Sequence, residues 1–169
     1  SLELALRLLI SEIEKILAEP LAQPSVVYFA EDFDNSASAP EDLAPSLVHM
    51  KISEDGKLTP KLISNSHPNF FVPSTVDRND VRDDIRRFTG LSPVLTGIAA
   101  EFNNILFWIY ASLESGVQLS FPGHGGYPVS YDPRLRAWYK KARNTEDLIN
   151  WGEPVVDAST NQLIFTVSG

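Results

Sequence analysis

The sequence contains no cysteine among its 169 residues. Disulfide bonds, thiolate catalysis and most structural zinc sites are therefore excluded, because each needs cysteine sulfur. Basic residues are also in the minority, with 14 Lys and Arg against 22 Asp and Glu, which gives a formal net charge of −8. A nucleic-acid-binding surface needs a basic stripe that replaces counterions. The composition thus argues against nucleic acid as a partner.

Long hydrophobic runs are missing as well, since no stretch of about 18 uncharged apolar residues could serve as a membrane span. The nearest candidate, residues 91–113, is interrupted by Pro93, Glu101, Asn103 and Asn104. The chain begins with serine and shows no secretory signal with a basic start and a cleavage site. We expect a segment cut from a longer protein.

An apolar seam runs along the N-terminal residues. Leu or Ile occupies positions 2, 6, 9, 13 and 16, a spacing that keeps one stripe along a helix ending before Pro20. We predict a long N-terminal helix in residues 1–19, packed on a module formed by residues 20–169. Leu4 and Leu8 lie off the seam, so the alternative is that they pair this helix with a second copy of the chain in a homodimer.

Several later segments have the pattern of β-strands. Apolar runs at 47–52 and 57–63 flank Asp55-Gly56, a dipeptide typical of a hairpin turn. In the last strand, Leu163, Phe165 and Val167 fall on one face. Further strands are predicted at 105–111, 117–121, 150–157 and 162–168.

Two shorter helices are predicted between the strands. Val81, Ile85 and Phe88 form an apolar stripe that follows a candidate capping box at residues 74–77. Ser92-Pro93 then starts a second helix. Helices placed before and between antiparallel strands predict an α+β domain.

Residues 131–142 have the sequence Tyr-Asp-Pro-Arg-Leu-Arg-Ala-Trp-Tyr-Lys-Lys-Ala. Asp132 suits an N-cap and Pro133 suits a first helical position, because proline has no amide to leave unsatisfied. We predict a single helix from this point, with Arg136 beside Tyr139 along its edge. Its packed face would carry Leu135, Trp138, Tyr139 and Ala142.

This string resembles the Tyr-Asp-x-Arg-x-Arg-x-Trp-Tyr-x-x-Ala signature of the double Cache domains, and residues 151–157 and 163–168 resemble two later strands of that family. The resemblance covers roughly residues 105–169. It implies a PAS-like antiparallel sheet behind the long helix. It also implies a periplasmic location, in an inner-membrane signalling protein such as a histidine kinase, chemoreceptor, cyclase or serine phosphatase. Family members continue into a further strand and a second module, so we expect this chain to be the membrane-distal module, truncated at its C-terminal end.

The resemblance also implies a ligand site. Arg136, Trp138 and Tyr139 match positions that hold a ligand carboxylate, and arginine suits that role because its planar fork faces two carboxylate oxygens. Tyr131 matches a further pocket residue, and Asp157 matches a carboxylate that receives an ammonium group. With Tyr110, the candidate ligand-binding residues are Tyr110, Tyr131, Arg136, Trp138, Tyr139 and Asp157. The same motif would also build a packed helix without any ligand.

One difference leaves the ligand class open. Val155 stands where amino-acid-binding members carry a tyrosine, so an amino acid, an organic acid and an amine all remain candidate ligands. We expect no cofactor and no metal. The alternative function is a structural dimerisation or partner-binding module. A hydrolase is disfavoured, because the oxyanion-like His124-Gly125-Gly126 has no Gly-x-Ser-x-Gly elbow with it.

Overall fold

The computed structural model describes residues 1–21, 23 and 25–169. It contains four α-helices, α1 (Leu2–Ala18), α2 (Arg82–Phe88), α3 (Ser92–Glu101) and α4 (Ala137–Asn144), among these residues. Three 3-10 helices cover Ala30–Asp34, Thr89–Leu91 and Pro133–Leu135. None of the described helices combines the length and apolar character needed to cross a bilayer.

The strands form antiparallel ladders throughout the described chain, apart from one isolated parallel bridge between Phe29 and Phe70. This arrangement confirms the predicted α+β class and is consistent with a PAS-like fold. The strands are β1 (Ala44–Ile52), β2 (Leu58–Ser64), β3 (Asn69–Phe71), β4 (Ile109–Ser112), β5 (Gln118–Phe121), β6 (Gly123–His124), β7 (Asn150–Trp151), β8 (Val155–Val156), β9 (Leu163–Ile164) and β10 (Val167–Ser168).

Helix α1 confirms the predicted seam. It ends two residues before Pro20, and the Ser1 hydroxyl caps its start by accepting a hydrogen bond from the Leu4 amide at 3.3 Å. Leu9 is buried in the core of the module, whereas Leu8 is 58% exposed. The helix therefore packs on its own domain by the seam and presents a second apolar edge to solvent.

The sheet β3-β5-β4 divides the molecule into two layers. Cross-strand partners share a face, so Phe70, Leu119 and Ala111 lie side by side on one surface of this sheet. That surface packs against α1, α2 and α3, where Phe88 and Leu95 are fully buried. The apolar core thus lies between the sheet and the helices.

The predicted hairpin at 47–63 is confirmed by β1 and β2, which pair around Gly56 with φ 76°. A positive φ of this size favours glycine. Strand β2 also pairs with β6, so β1-β2-β6 form a second sheet. Only Pro122, which follows a cis peptide bond, separates β5 from β6, and the two sheets are therefore consecutive along one stretch of chain.

The single helix predicted from residue 133 is wrong. Asp132 does act as an N-cap, accepting from the Arg134 amide at 2.9 Å, but the 3-10 turn that it starts ends at Leu135. Arg136 is extended, with φ −76° and ψ 148°, and α4 begins after it. Leu135 is 64% exposed and does not join a packed stripe. Arg136 therefore lies at a break between two helices.

The C-terminal strands are shorter than predicted. β7 pairs with β10 and β8 pairs with β9, with two residues in each strand. Leu163 and Phe165 are 68% and 73% exposed, whereas Val167 is half-buried, so the predicted common face is only partly packed. The strand predicted at 105–111 is likewise reduced to β4. The capping box predicted at 74–77 ends five residues before α2 starts, so it does not cap that helix.

Neighbouring leucines of α1 provide a test of this packing. Leu9→Ala is expected to lower the free energy of unfolding by about 2 to 5 kcal/mol, because it leaves a cavity in the core. Leu8→Ala removes the same atoms from an exposed position and should change it by about 0.5 kcal/mol or less. Urea denaturation at several protein concentrations measures the free energy of unfolding of both variants. A concentration-dependent loss in Leu8→Ala would instead place that edge in a dimer.

Candidate ligand-binding site

The second face of the sheet β3-β5-β4 is polar and aromatic, although it is largely covered. Asn69 and Tyr110 both pair with Ser120, and Phe71 and Ser112 both pair with Gln118, so these side chains share one surface. Asn69, Gln118 and Ser120 are almost completely buried. Buried amides and hydroxyls are costly unless they find partners. We call this surface, with the groups that cover it, the polar chamber.

Two tyrosines from the loop after β6 cover this face. The ring of Tyr127 lies 4.8 Å from the ring of Phe71, and that of Tyr131 lies 5.0 Å from it. The Tyr131 hydroxyl donates to Gln118 Oε1 at 2.9 Å, and Gln118 Nε2 donates to Ser120 Oγ at 2.8 Å. The side chains of the chamber thus form one connected hydrogen-bond network.

His124 extends this network in its neutral form. Its Nδ1 lies 2.9 Å from the carbonyl oxygen of Gly125, which can only accept, so Nδ1 carries the proton. Nε2, at 3.1 Å, is then free to accept from the Tyr127 hydroxyl, which also lies 3.0 Å from Ser120 Oγ. Burial, with the nearby Lys61 charge, lowers the pKa of His124 to about 3.

Four stacked rings form the wall beside β6. Successive ring centroids in the series His49, Trp108, His124 and Tyr127 are 4.1, 4.1 and 4.8 Å apart. His49 is fixed by Ser46 Oγ at 2.9 Å from Nδ1 and by the Phe107 carbonyl at 2.7 Å from Nε2. The indole Nε1 of Trp108 is buried without an acceptor in the described part of the chain. This ring stack is rigid and carries one unused donor.

Arg136 and Trp138 lie at the opposite end of the chamber. The Arg136 guanidinium carbon is 5.8 Å from the Tyr131 ring centroid, and Nη2 donates a long 3.4 Å bond to the Val156 carbonyl. The Trp138 ring stands 4.7 Å from that of Tyr110. Burial, together with the charge of Asp157, raises the pKa of the Tyr110 phenol. The structure thus groups Tyr110, Tyr131, Arg136 and Trp138.

Asp157 begins the turn that follows β8. Its Oδ2 accepts from the amide and hydroxyl of Thr160, at 2.9 and 2.6 Å, and from those of Ser159, at 3.3 and 2.9 Å. One carboxylate oxygen is therefore taken up by the turn. The charge of Asp157 still acts on Tyr110 and Tyr127, so it belongs to the chamber.

Tyr139 is placed differently from the other candidates. The charged groups that act on its phenol are Glu114, Arg143, Arg134 and Asp132, on the outer side of α4. Its ring contacts that of Trp138 at 5.8 Å. Tyr139 thus contacts Trp138, and Arg136 is not among the charged groups that act on its phenol.

Two backbone amides of the loop at 124–126 are already engaged. The His124 amide donates to Asn69 Oδ1 and the Gly126 amide donates to Asp34 Oδ2, each at 3.0 Å. These two amides are therefore not free to hold a developing negative charge. Their role here is to tie the loop to β3 and to the first 3-10 helix.

Lys61 is a chamber residue that the sequence patterns missed. It is 9% exposed, and its Nζ donates a 3.5 Å bond to the Ser159 carbonyl. A Cβ placed on Gly126, which has φ 76°, would lie 2.7 Å from Nζ. Burial lowers the pKa of Lys61 to about 8, against the opposing charges of Asp34 and Asp157.

Comparison with known proteins relates part of the chain to a bacterial chemoreceptor. A stretch of 72 residues is 38% identical to the methyl-accepting chemotaxis protein PscA of Pseudomonas syringae pv. tomato. The match covers 43% of this chain and 11% of that protein. No protein-family model matches the chain.

An apolar groove of about 560 Å³ lies between α1, the edge of β4 and the strands β9 and β10, and Trp108 and Tyr110 of the chamber also line it. Its lining is mostly aliphatic and aromatic and includes Leu6, Ile109 and Phe165. It is suited to an apolar chain rather than to a charged small molecule.

His124 predicts a pH dependence of stability. Its pKa of about 3 in the folded state is lower than the ordinary 6.5, so the unfolded state binds the extra proton between these values. Stability should therefore fall as the pH drops below about 6.5, by about 2 kcal/mol at pH 5 for this residue. His124→Gln should remove this part of the loss between pH 7 and pH 5. Urea denaturation at both pH values measures the difference, and equal losses in the two proteins would contradict it.

Proposed function

We propose that this chain is the extracytoplasmic ligand-sensing domain of a bacterial transmembrane signalling protein. In this proposal it binds a small carboxylate-bearing molecule in the polar chamber without changing it chemically. The similarity to a chemotaxis receptor supports the signalling role and a membrane-anchored parent protein. The chamber supports the binding role.

The observation that carries the proposal is that Arg136 has no carboxylate partner among the described residues. The chain has 22 acidic residues against 14 basic ones, yet Arg136 forms no ion pair with any described residue. By contrast, Arg134 is held by Asp132 through two hydrogen bonds of 3.0 and 2.7 Å. An arginine beside half-buried phenols, with one long bond to a carbonyl and no carboxylate partner among the described residues, is suited to a ligand carboxylate.

The chamber would also orient such a ligand. Tyr110 and Trp138 present an aromatic wall beside Arg136, and aromatic side chains add contact area at low entropic cost. Because the network of Gln118, Ser120 and Tyr131 is satisfied internally, its geometry is held before any ligand arrives. Preorganised polar groups of this kind favour specific binding of a small polar molecule.

The second candidate function is a partner-binding or dimerisation module. The groove beside the free edge of β4 favours it, because an open strand edge next to apolar surface can accept an extended segment. A thermal-shift screen against amino acids, organic acids and amines separates the two functions, since a ligand at 100 times its Kd adds about 2.7 kcal/mol. No response in the screen, together with concentration-dependent sedimentation, would favour the second.

Arg136→Ala tests the anion site. It is expected to weaken the binding of a carboxylate found in the screen by about 2 kcal/mol or more, roughly thirtyfold, because the carboxylate loses its partner. Arg143→Ala is the control, since Arg143 lies on the outer side of α4 and pairs with exposed Glu114. Calorimetric titration gives both affinities. Undiminished binding by Arg136→Ala would rule out this site.

Asp157→Asn separates a ligand role from a turn role. If Asp157 receives a ligand ammonium, the variant should lose the preference for an amino acid over its deaminated analogue. If Asp157 serves only the turn, the variant should keep that preference and lose about 0.5 to 2 kcal/mol of stability through weaker bonds to Ser159 and Thr160. The affinity ratio and the urea midpoint measure the two effects separately.

A further inference from the structure

Lys61 is the most deeply buried charged side chain of the chamber. It lies on β2, on the same face as Ile63, with its outward neighbours exposed. Its Nζ lies between Gly126, after β6, and the turn after β8. The bond to the Ser159 carbonyl, at 3.5 Å, is at the limit of a hydrogen bond. An ammonium group has three donors, so its capacity is mostly unused.

Neither of the carboxylates near Lys61 pairs with it. Asp34 and Asp157 both act on it electrostatically, but neither lies within the 4.0 Å of an ion pair. Asp34 accepts from the Gly126 amide, and Asp157 accepts from its own turn. A buried charge normally has a partner with close geometry. In this acidic chain, the lack of one within the described residues points to an anion from outside.

Lys61 and Arg136 lie on either side of Asp157. Arg136 contacts the carbonyl of Val156, and Lys61 contacts that of Ser159. These carbonyls are three residues apart, a span of at most roughly 10 Å. The turn between them is tightened by the bonds to Asp157. Two cations without carboxylate partners in the described chain thus contact carbonyls at the two ends of one short turn.

We propose that Lys61 is a second anion-binding residue of this chamber, and that the ligand carries two carboxylates, one held by Arg136 and the other by Lys61. This inference rests on the proposed function, because it names the ligand class of the same site. It assigns short aliphatic dicarboxylates as ligands, in preference to monocarboxylates and amines. Gly126 contributes by letting Nζ approach the backbone, because a Cβ at this position would lie 2.7 Å from Nζ.

The lowered pKa of Lys61 gives the proposal an independent readout. The charged or titratable groups that act on it are Asp34, Asp157, Lys51, His49 and His124, which come from every element packed around it. A carboxylate placed against Nζ would favour the ammonium form and raise this pKa. Binding at pH 8.5 should therefore take up protons from the buffer, whereas binding of a molecule with an amide in that position should not.

The experiment is calorimetric titration of the 169-residue chain with succinate, glutarate and adipate, each compared with its half-amide. The wild type should prefer at least one diacid over its half-amide by about tenfold or more, because a charge-assisted bond replaces a neutral one. Lys61→Met, which keeps the length and removes the charge, should reduce that preference to less than about threefold. Lys57→Met, at an exposed lysine of the turn between β1 and β2, is the control and should behave as the wild type.

The outcomes separate this inference from the proposed function. Equal binding of diacid and half-amide, still sensitive to Arg136→Ala, would overturn the role of Lys61 and keep the carboxylate site. A preference that persists in Lys61→Met would overturn that role as well. Binding of neither class would overturn the dicarboxylate assignment, whereas the proposed function is decided by the wider thermal-shift screen. If Lys61→Met does not fold, the role of Lys61 is tested on the wild type. Titration with the diacid at pH 8.5 in two buffers of different ionisation enthalpy measures proton uptake. Absence of proton uptake would contradict the proposal.

Discussion

The alternation of side chains along β5 is the constraint on which the rest of the molecule depends. Leu119 and Phe121 face the helices, and Gln118 and Ser120 face the chamber. Because side chains alternate with a period of two, a slip of one residue would bury amide and hydroxyl groups against α3 and place leucine among the tyrosines. Both layers are therefore fixed by one register, and neither could be rearranged without loss of the other.

The polar layer is maintained by complete pairing rather than by exposure to water. Gln118, Ser120, Tyr127 and Tyr131 are joined to one another, and His124 joins them only as a neutral donor and acceptor. In surroundings of low polarity, such a network is favourable when satisfied and costly when one member is lost. The exceptions are the Trp108 indole, which has no acceptor in the described chain, and the two cations, which have no carboxylate partner there. The chamber therefore combines an internally hydrogen-bonded network with cations at its ends that lack carboxylate partners in the described chain.

Local patterns predicted the elements that depend on local physics. The seam of α1 and the turn at Gly56 follow from periodicity and from a single backbone conformation, and both were predicted correctly. The break at Arg136 was not predicted, because Asp132, Pro133 and the residues of α4 each favour helix. Nothing in their order shows that the residue between them is extended. Lys61 was missed for another reason. Its strand is exposed on both sides of it, and only the distant segments at Gly126 and Ser159 make it a buried residue.

The joint at Pro122 has a mechanical consequence. Lys61 and His124 belong to the sheet β1-β2-β6, whereas Tyr110 and Ser120 belong to β3-β5-β4, so the chamber straddles the point where one sheet passes into the other. A molecule that contacts both sets of side chains would hold the two sheets in one relative orientation. Its binding would then change the angle between the two sheets. Helix α1 packs on only one of the sheets, so it would be tilted relative to the other.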